Sequence, residues 1–353
     1  MNKAQRYFSL SLCALLIFSS AFSQSRKNRA LESKLFDEEE ILDISLNMNI
    51  KKVTSDIVDR NDHYALLTFY EDDQPVNLEL KVKIRGKTRA NPKVCSFPPI
   101  QLNFKKKGNY ENLFAGQDKL KLVTHCMKGK TYDQYVLQEY LTYKHYSLLT
   151  DYSFKVRLLK VTYIDSADQT PTERFGFLIE DQEIMAKRKG QIVRKDKIVN
   201  QDLCNEKVLN IMTVFQYMIG NVDWSIPGFH NIKLIANDSI SLRPIPIPYD
   251  FDYSGAISAH YAIAPESLSI ENVRTRLFRG FCRQPGLYEE VFELFNEKKE
   301  EIYALYEKFG LLSEGNRKST LKYFDQFYKT INDPKKAKLA FNGACRLKHK
   351  HIN

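Results

Sequence analysis

Alternation of apolar and polar positions is the plainest pattern along this chain. In "VNLELKVKIRG", Val76, Leu78, Leu80, Val82 and Ile84 share one face and polar residues the other. That period of two predicts a half-buried strand ending at Gly86. "IQLNFK" repeats the pattern at Ile100, Leu102 and Phe104, and "DKLKLVTHC" predicts a third strand. The three form a β-meander, with a basic connection (Arg85, Lys87, Arg89, Lys93) between the first two strands. The period then changes. In "TYDQYVLQEYLTYKHYSLL", Val136, Tyr140 and Tyr143 recur at helical spacing, and Glu139 falls on their face.

"FKVRLLKVTYID" and "RFGFLIE" read as a hairpin around the polar turn "SADQTPTE". "EKVLNIMTVFQYMIG" is apolar on nearly every side, so it predicts a buried helix. "HNIKLI" and "SISLRPIPI" predict two short strands. "YEEVFELFNEKKEEIYALYEKFG", with Gly310 as its cap, and "LKYFDQFYKTI" predict helices near the end. Residues 24–60 are polar and charged and read as a mobile lead-in with room for one short strand. The order predicts an α+β chain: a β-rich lobe over 61–185 with one helix, then a mainly helical lobe over 186–353, joined near 180–195.

Composition changes this picture in three places. "MNKAQRYFSLSLCALLIFSSAFSQ" has Lys3 and Arg6, an apolar run, then Ala21-Phe22-Ser23. This is the pattern of a secretory signal peptide over residues 1–23, and it predicts export to a periplasm or the cell exterior. No later segment is apolar enough to span a membrane. Basic residues exceed acidic ones by ten, which suits phosphates or an anionic surface; export makes nucleic acid the least expected partner. Cys95, Cys126, Cys204, Cys282 and Cys345 follow the signal segment, without metal-ligand spacing. Cys95 and Cys126 lie near neighbouring predicted strands, and read either as a disulfide or as two buried thiols.

Candidate chemistry gathers in "GNVDWSIPGFHNIKLI" and "PIPYDFDYSG". The buried helix delivers Asp223 to a loop, Asn231 closes that loop, and the next strand ends at Asp250 and Asp252. Phosphoryl transfer needs cations to hold phosphates, oxygen ligands to hold Mg2+, and a group to orient the attacking hydroxyl. Convergence of these residues meets that need, whereas each one alone reads as a turn or cap.

Together these segments resemble the catalytic core of the atypical kinases related to the spore-coat CotH family and of HipA-type kinases. "VKIRGKTRANPKVCSFPPIQLNFKKK" and "RFGFLIEDQEIMAKR" are similar to the earlier parts of that family, so the likeness spans about 76–256. The resemblance implies a two-lobed kinase-like fold, ATP with Mg2+ or Mn2+, and a protein or envelope hydroxyl as acceptor. It implies that Asp223 positions the acceptor hydroxyl, that Asn231 and Asp250 hold metal, and that Asp252 assists. The chain departs from the family where Trp224 follows Asp223 and eight residues separate Asp223 from Asn231.

Lys121 with Glu139 could form the phosphate-orienting pair of such folds; alternatively Arg85 and Arg89 grip phosphates. Two further readings stand beside the kinase. One is a pseudokinase-like scaffold. The other is a metal-dependent phosphoesterase using His230 and His260 with Asp223, Asp250 and Asp252.

Overall fold

The computed structural model describes residues 25–105, 111–195, 200–282, 286–343 and 345. The signal segment and its cleavage point lie outside the described residues. Seven strands form a closed barrel: β1 (Leu42–Met48), β2 (His63–Glu71), β3 (Gln74–Ile84), β4 (Ile100–Phe104), β5 (Lys119–Val123), β6 (Val156–Asp165) and β7 (Pro171–Ile179). Their order is β1-β2-β3-β4-β5-β7-β6. Neighbours are antiparallel except at the closure, where β1 runs parallel to β6 with Leu42 opposite Leu159.

Alternation explains the interior. Ile44, Leu46, Leu67, Phe69, Leu80, Val82, Leu102, Leu122, Val161 and Leu178 all point inward into one apolar cluster. Closure leaves these strands without an open edge.

This closure overturns the expected two-lobed kinase-like fold with an N-lobe of β-sheet. The chain is α+β, but its strands seal into a mixed seven-strand barrel. Residues 24–60, read as a lead-in, supply the strand that closes it. A period of two is the same in an open sheet and in a barrel, so alternation could not separate them.

The outer faces of β5, β6 and β7 carry Val123, Val156, Leu158, Phe177 and Ile179 into a second apolar core. There they meet the long helix Lys130–Leu149 and the buried helix Glu206–Ile219. β8 (Ile192–Arg194), β9 (Ile232–Ala236) and β10 (Ile245–Pro248) add a small antiparallel sheet in the order β10-β9-β8. The helices Leu287–Glu297, Lys299–Glu307 and Glu314–Ile331 complete this core. The first two replace the single expected helix, with the break at Lys298.

Among the described residues two disulfides brace the fold, Cys95–Cys126 and Cys282–Cys345, while Cys204 is buried outside both bridges. Cys95 lies in the connection between β3 and β4, and Cys126 just beyond β5. The first bridge therefore anchors the connection that carries Arg89. Among the described residues no helix is long and apolar enough to cross a membrane.

Candidate functional site

The buried helix Glu206–Ile219 is capped by Gly220 in the left-handed conformation (φ 66°). A Cβ there would lie 2.0 Å from the Tyr323 hydroxyl, so only glycine fits. The cap turns the chain into Asn221–Asp223. At the other end of the loop β9 begins, and the register pairs Ile232 with Pro248. One step further out, the Tyr249 N–H donates to the Asn231 carbonyl at 3.0 Å. Asp250 follows, in left-handed backbone (φ 65°), and its N–H donates to the Tyr143 hydroxyl at 2.8 Å. Non-glycine residues seldom adopt this region, and such backbone concentrates at functional sites.

Asp250 and Asp252 meet Glu139 from the long helix. One carboxylate oxygen of each lies within 4.8 Å of the others. Arg89 enters this group from the β3–β4 connection. Its Nη2 is 3.2 Å from Asp250 Oδ1, its Nε 3.2 Å from Asp252 Oδ2, and its Nη1 3.9 Å from Glu139 Oε2. Arg89, Glu139 and Asp252 are buried, and Asp250 is half-buried.

One guanidinium faces three carboxylates, so the charges do not balance. Burial drives the Glu139 carboxyl well above its ordinary range; Arg89 opposes this, and Asp252 and Asp250 add to it. Burial likewise pushes Asp252 up to about 7 against the pull of Arg89. Asp250 goes the other way: burial acts to raise it, but Arg89, Arg85 and Lys121 hold it below the usual carboxylate range. Glu139 Oε1 is buried without a hydrogen-bond partner. An orphaned buried oxygen in an over-acidic cluster fits an oxygen-ligated divalent cation.

A cationic group adjoins the acidic one. Lys121 on β5 has its Nζ 4.5 Å from the centre of the Tyr249 ring, and Lys233 on β9 has its own at 5.3 Å. Burial lowers Lys121 to about 7, with repulsion from Arg85 and Lys233 added. Lys233 is lowered by burial and by Arg85. None of the three cations forms a salt bridge among the described residues. Three half-buried cations that act on Asp250 or on one another without a salt bridge suit a phosphate group.

No protein-family model matches the chain, and no curated protein matches it either. The site therefore rests on its own geometry.

That geometry places the expected residues unevenly. Asp250 and Asp252 do come together, with Glu139 as a third carboxylate. Glu139 faces Arg89 and not Lys121, because Arg89 reaches the helix from the disulfide-braced connection. Arg89 is thus held by carboxylates, while Arg85 stays beside Lys121. Asn231 turns its amide nitrogen to Asp223, donating to the carbonyl at 2.8 Å and to Oδ2 at 3.1 Å. His230 pairs with Asp223 at 2.7 Å, and His260 with the Tyr132 hydroxyl at 2.7 Å. The two histidines are thus separately engaged, and among the described residues neither is hydrogen-bonded to Asp250 or Asp252.

Sequence reasoning missed Lys233 and Tyr249. The only signal for Lys233 was a lysine between the buried Ile232 and Leu234, on the other face of a short strand.

Proposed function

We propose that this chain is an exported, divalent-cation-dependent phosphotransferase that moves the γ-phosphate of ATP to a hydroxyl acceptor, as its likeness to the CotH-type kinases implies. The observation that carries the reading is the pairing of two opposite charge groups. Glu139, Asp250 and Asp252 lie within one cation's reach of each other, and Lys121, Lys233 and Arg85 stand beside them without salt bridges. Glu139, Asp250 and Asp252 would hold Mg2+ or Mn2+, which supplies positive charge to neutralise the phosphate oxygens during transfer. Lys121, Lys233 and Arg85 would hold the phosphate chain. The Cys95–Cys126 and Cys282–Cys345 bridges support an oxidising compartment. The phosphoesterase reading loses support because His260 pairs with Tyr132 and, among the described residues, neither histidine is hydrogen-bonded to Asp250 or Asp252.

The test is a thermal shift of residues 24–353 with ATP, with and without Mg2+ or Mn2+, beside Asp250→Ala. Stabilisation by ATP that requires the metal and disappears in the variant is expected. At a hundred times Kd, ligand binding adds about 2.7 kcal/mol, a readily measured shift. No metal-dependent stabilisation of the wild-type chain would refute the reading and leave the scaffold alternative.

A further inference from the structure

Asp223 is engaged at both of its carboxylate oxygens. Its Oδ1 faces His230 Nε2 at 2.7 Å, and its Oδ2 accepts from Asn231 Nδ2 at 3.1 Å. Its backbone N–H donates to Asn221 Oδ1 at 2.9 Å, and its carbonyl accepts from Asn231 Nδ2 at 2.8 Å. A carboxylate can only accept, so His230 Nε2 must carry the hydrogen of their bond, which leaves the lone pair on Nδ1. The His230 side chain is 56% exposed, against 33% for Asp223. The dyad therefore presents the imidazole, not the carboxylate, to an incoming group.

The loop holds His230 firmly. Ser225 and His230 exchange two backbone hydrogen bonds, at 2.9 and 3.0 Å. The Gly228 N–H donates to the Ser225 hydroxyl at 3.1 Å. Phe229 and Asn231, on either side, are both left-handed (φ 49° and 52°). Such backbone costs on the order of 1–3 kcal/mol per residue and persists only where the surroundings impose it. Trp224, a buried residue of the loop, has its carbonyl bound by Arg279 Nη1 at 2.9 Å. The eight-residue spacing that departs from the kinase pattern thus folds into a closed turn that returns His230 to Asp223.

This turn adjoins the segment that carries Asp250 and Asp252. The β9–β10 ladder pairs Ile232 with Pro248 and continues outward to Asn231 beside Tyr249. His230 and Asp250 come next in sequence on the two segments. Tyr253 feels the charge of Asp252 and of Asp223, so the dyad and the acidic group border the same side chain.

We infer that His230 is the proton acceptor of the reaction, with Asp223 as its positioning residue; this rests on the phosphotransfer proposed above. In the step, the acceptor hydroxyl gives its proton to His230 Nδ1 while its oxygen forms a bond to the γ-phosphorus of ATP. The bond from that phosphorus to the bridging oxygen breaks, and ADP leaves with the electron pair. Asp223 keeps its hydrogen bond to Nε2 and so orients and stabilises the imidazolium, which then releases its proton to solvent.

Phosphate release from Mg2+–ATP, with water as acceptor, tests this in the chain 24–353 beside His230→Ala and Asp223→Asn. His230→Ala should keep the metal-dependent ATP shift, which shows an intact fold and nucleotide site. Its turnover should fall about 100-fold or more, the usual contribution of a general base, and added imidazole should restore part of it. Asp223→Asn should also lose turnover, without imidazole rescue. Wild-type turnover in His230→Ala, or a loss that imidazole leaves untouched, would overturn the inference. So would a wild-type chain that binds Mg2+–ATP and releases no phosphate. A wild-type chain that does not bind Mg2+–ATP at all refutes the phosphotransfer reading, and this inference falls with it.

Discussion

Leu102 in the barrel and Glu139 beside it are buried alike, at 0% and 1% exposure. Leu102 sits among apolar neighbours that alternation alone places, and its β4 backbone is paired on both sides. Glu139 sits on the apolar face of its helix, with an unpartnered oxygen and two further carboxylates close by. The same depth of burial thus stabilises the fold at one position and burdens it at the other. Regions that keep such a burden are where a ligand is expected to relieve it.

The largest expected effect lies in the barrel. Leu102→Ala removes a side chain with no exposed surface from a closed sheet that cannot easily collapse inward. The expected loss is about 3–4 kcal/mol, within the usual span for buried leucines. Urea unfolding of the two chains measures it. A loss below about 1 kcal/mol would mean that the interior is loosely packed, and the contrast with Glu139 would fail.

Acid separates the regions in a second way. Burial holds both His125, in contact with Phe97, and His145, in the second core, down at about 3. The folded chain therefore stays unprotonated there while the unfolded chain takes up protons below about 6.5. Depressed histidines make stability fall as pH drops from about 6.5 toward 3. Each costs up to about 1.4 kcal/mol per pH unit in that window. Melting temperatures at pH 7.5 and 5.5 should differ, and His145→Phe should shrink the difference. The ring nitrogens of His145 have no partners to lose, and Phe215, Tyr306 and Phe324 already surround it with aromatic faces. An unaltered difference in the variant would remove His145 from the acid response.

Much of the barrel was legible because its physics is periodic. β3, β4, β5, β6 and β7 announce themselves by alternation, and the long and buried helices by their spacing. β1 alternates as well, through Leu42, Ile44, Leu46 and Met48, but charged flanks disguised it as lead-in. Its parallel partner β6 lies over a hundred residues away, and a period of two does not name a neighbour. The site was legible in part for a different reason. Asp250 and Asp252 stand out because Asp is scarce in buried strands, and a short chain between β9 and β10 fixes their place. Arg89 belongs to a connection without periodicity, set by a disulfide and by three carboxylates from other segments. Its partners could not be read locally, so a residue expected to grip phosphates instead balances carboxylates. His230 was grouped with Asp223 only as a metal ligand, and their hydrogen bond was not legible, since a closed turn with two left-handed residues has no simple sequence signature.

The smallest expected effect sharpens the comparison most. Glu139→Gln keeps the shape of the side chain and removes its charge from a group that already holds two other carboxylates. Arg89 retains Asp250 and Asp252, each at 3.2 Å, and loses only its longest contact, at 3.9 Å. Removing one partner of a buried ion pair is ordinarily severe because an uncompensated charge stays behind. Here the remaining charges are closer to balance after the change than before it. Stability should therefore move by less than about 1 kcal/mol, in either direction, although the residue is as deeply buried as Leu102. The Mn2+-dependent thermal shift should shrink at the same time, because the amide offers one neutral oxygen in place of the carboxylate. Urea unfolding with and without Mn2+ reads both quantities. A loss as large as that of Leu102→Ala, with the Mn2+ response intact, would make Glu139 a structural anchor of Arg89 and take it out of the cation site.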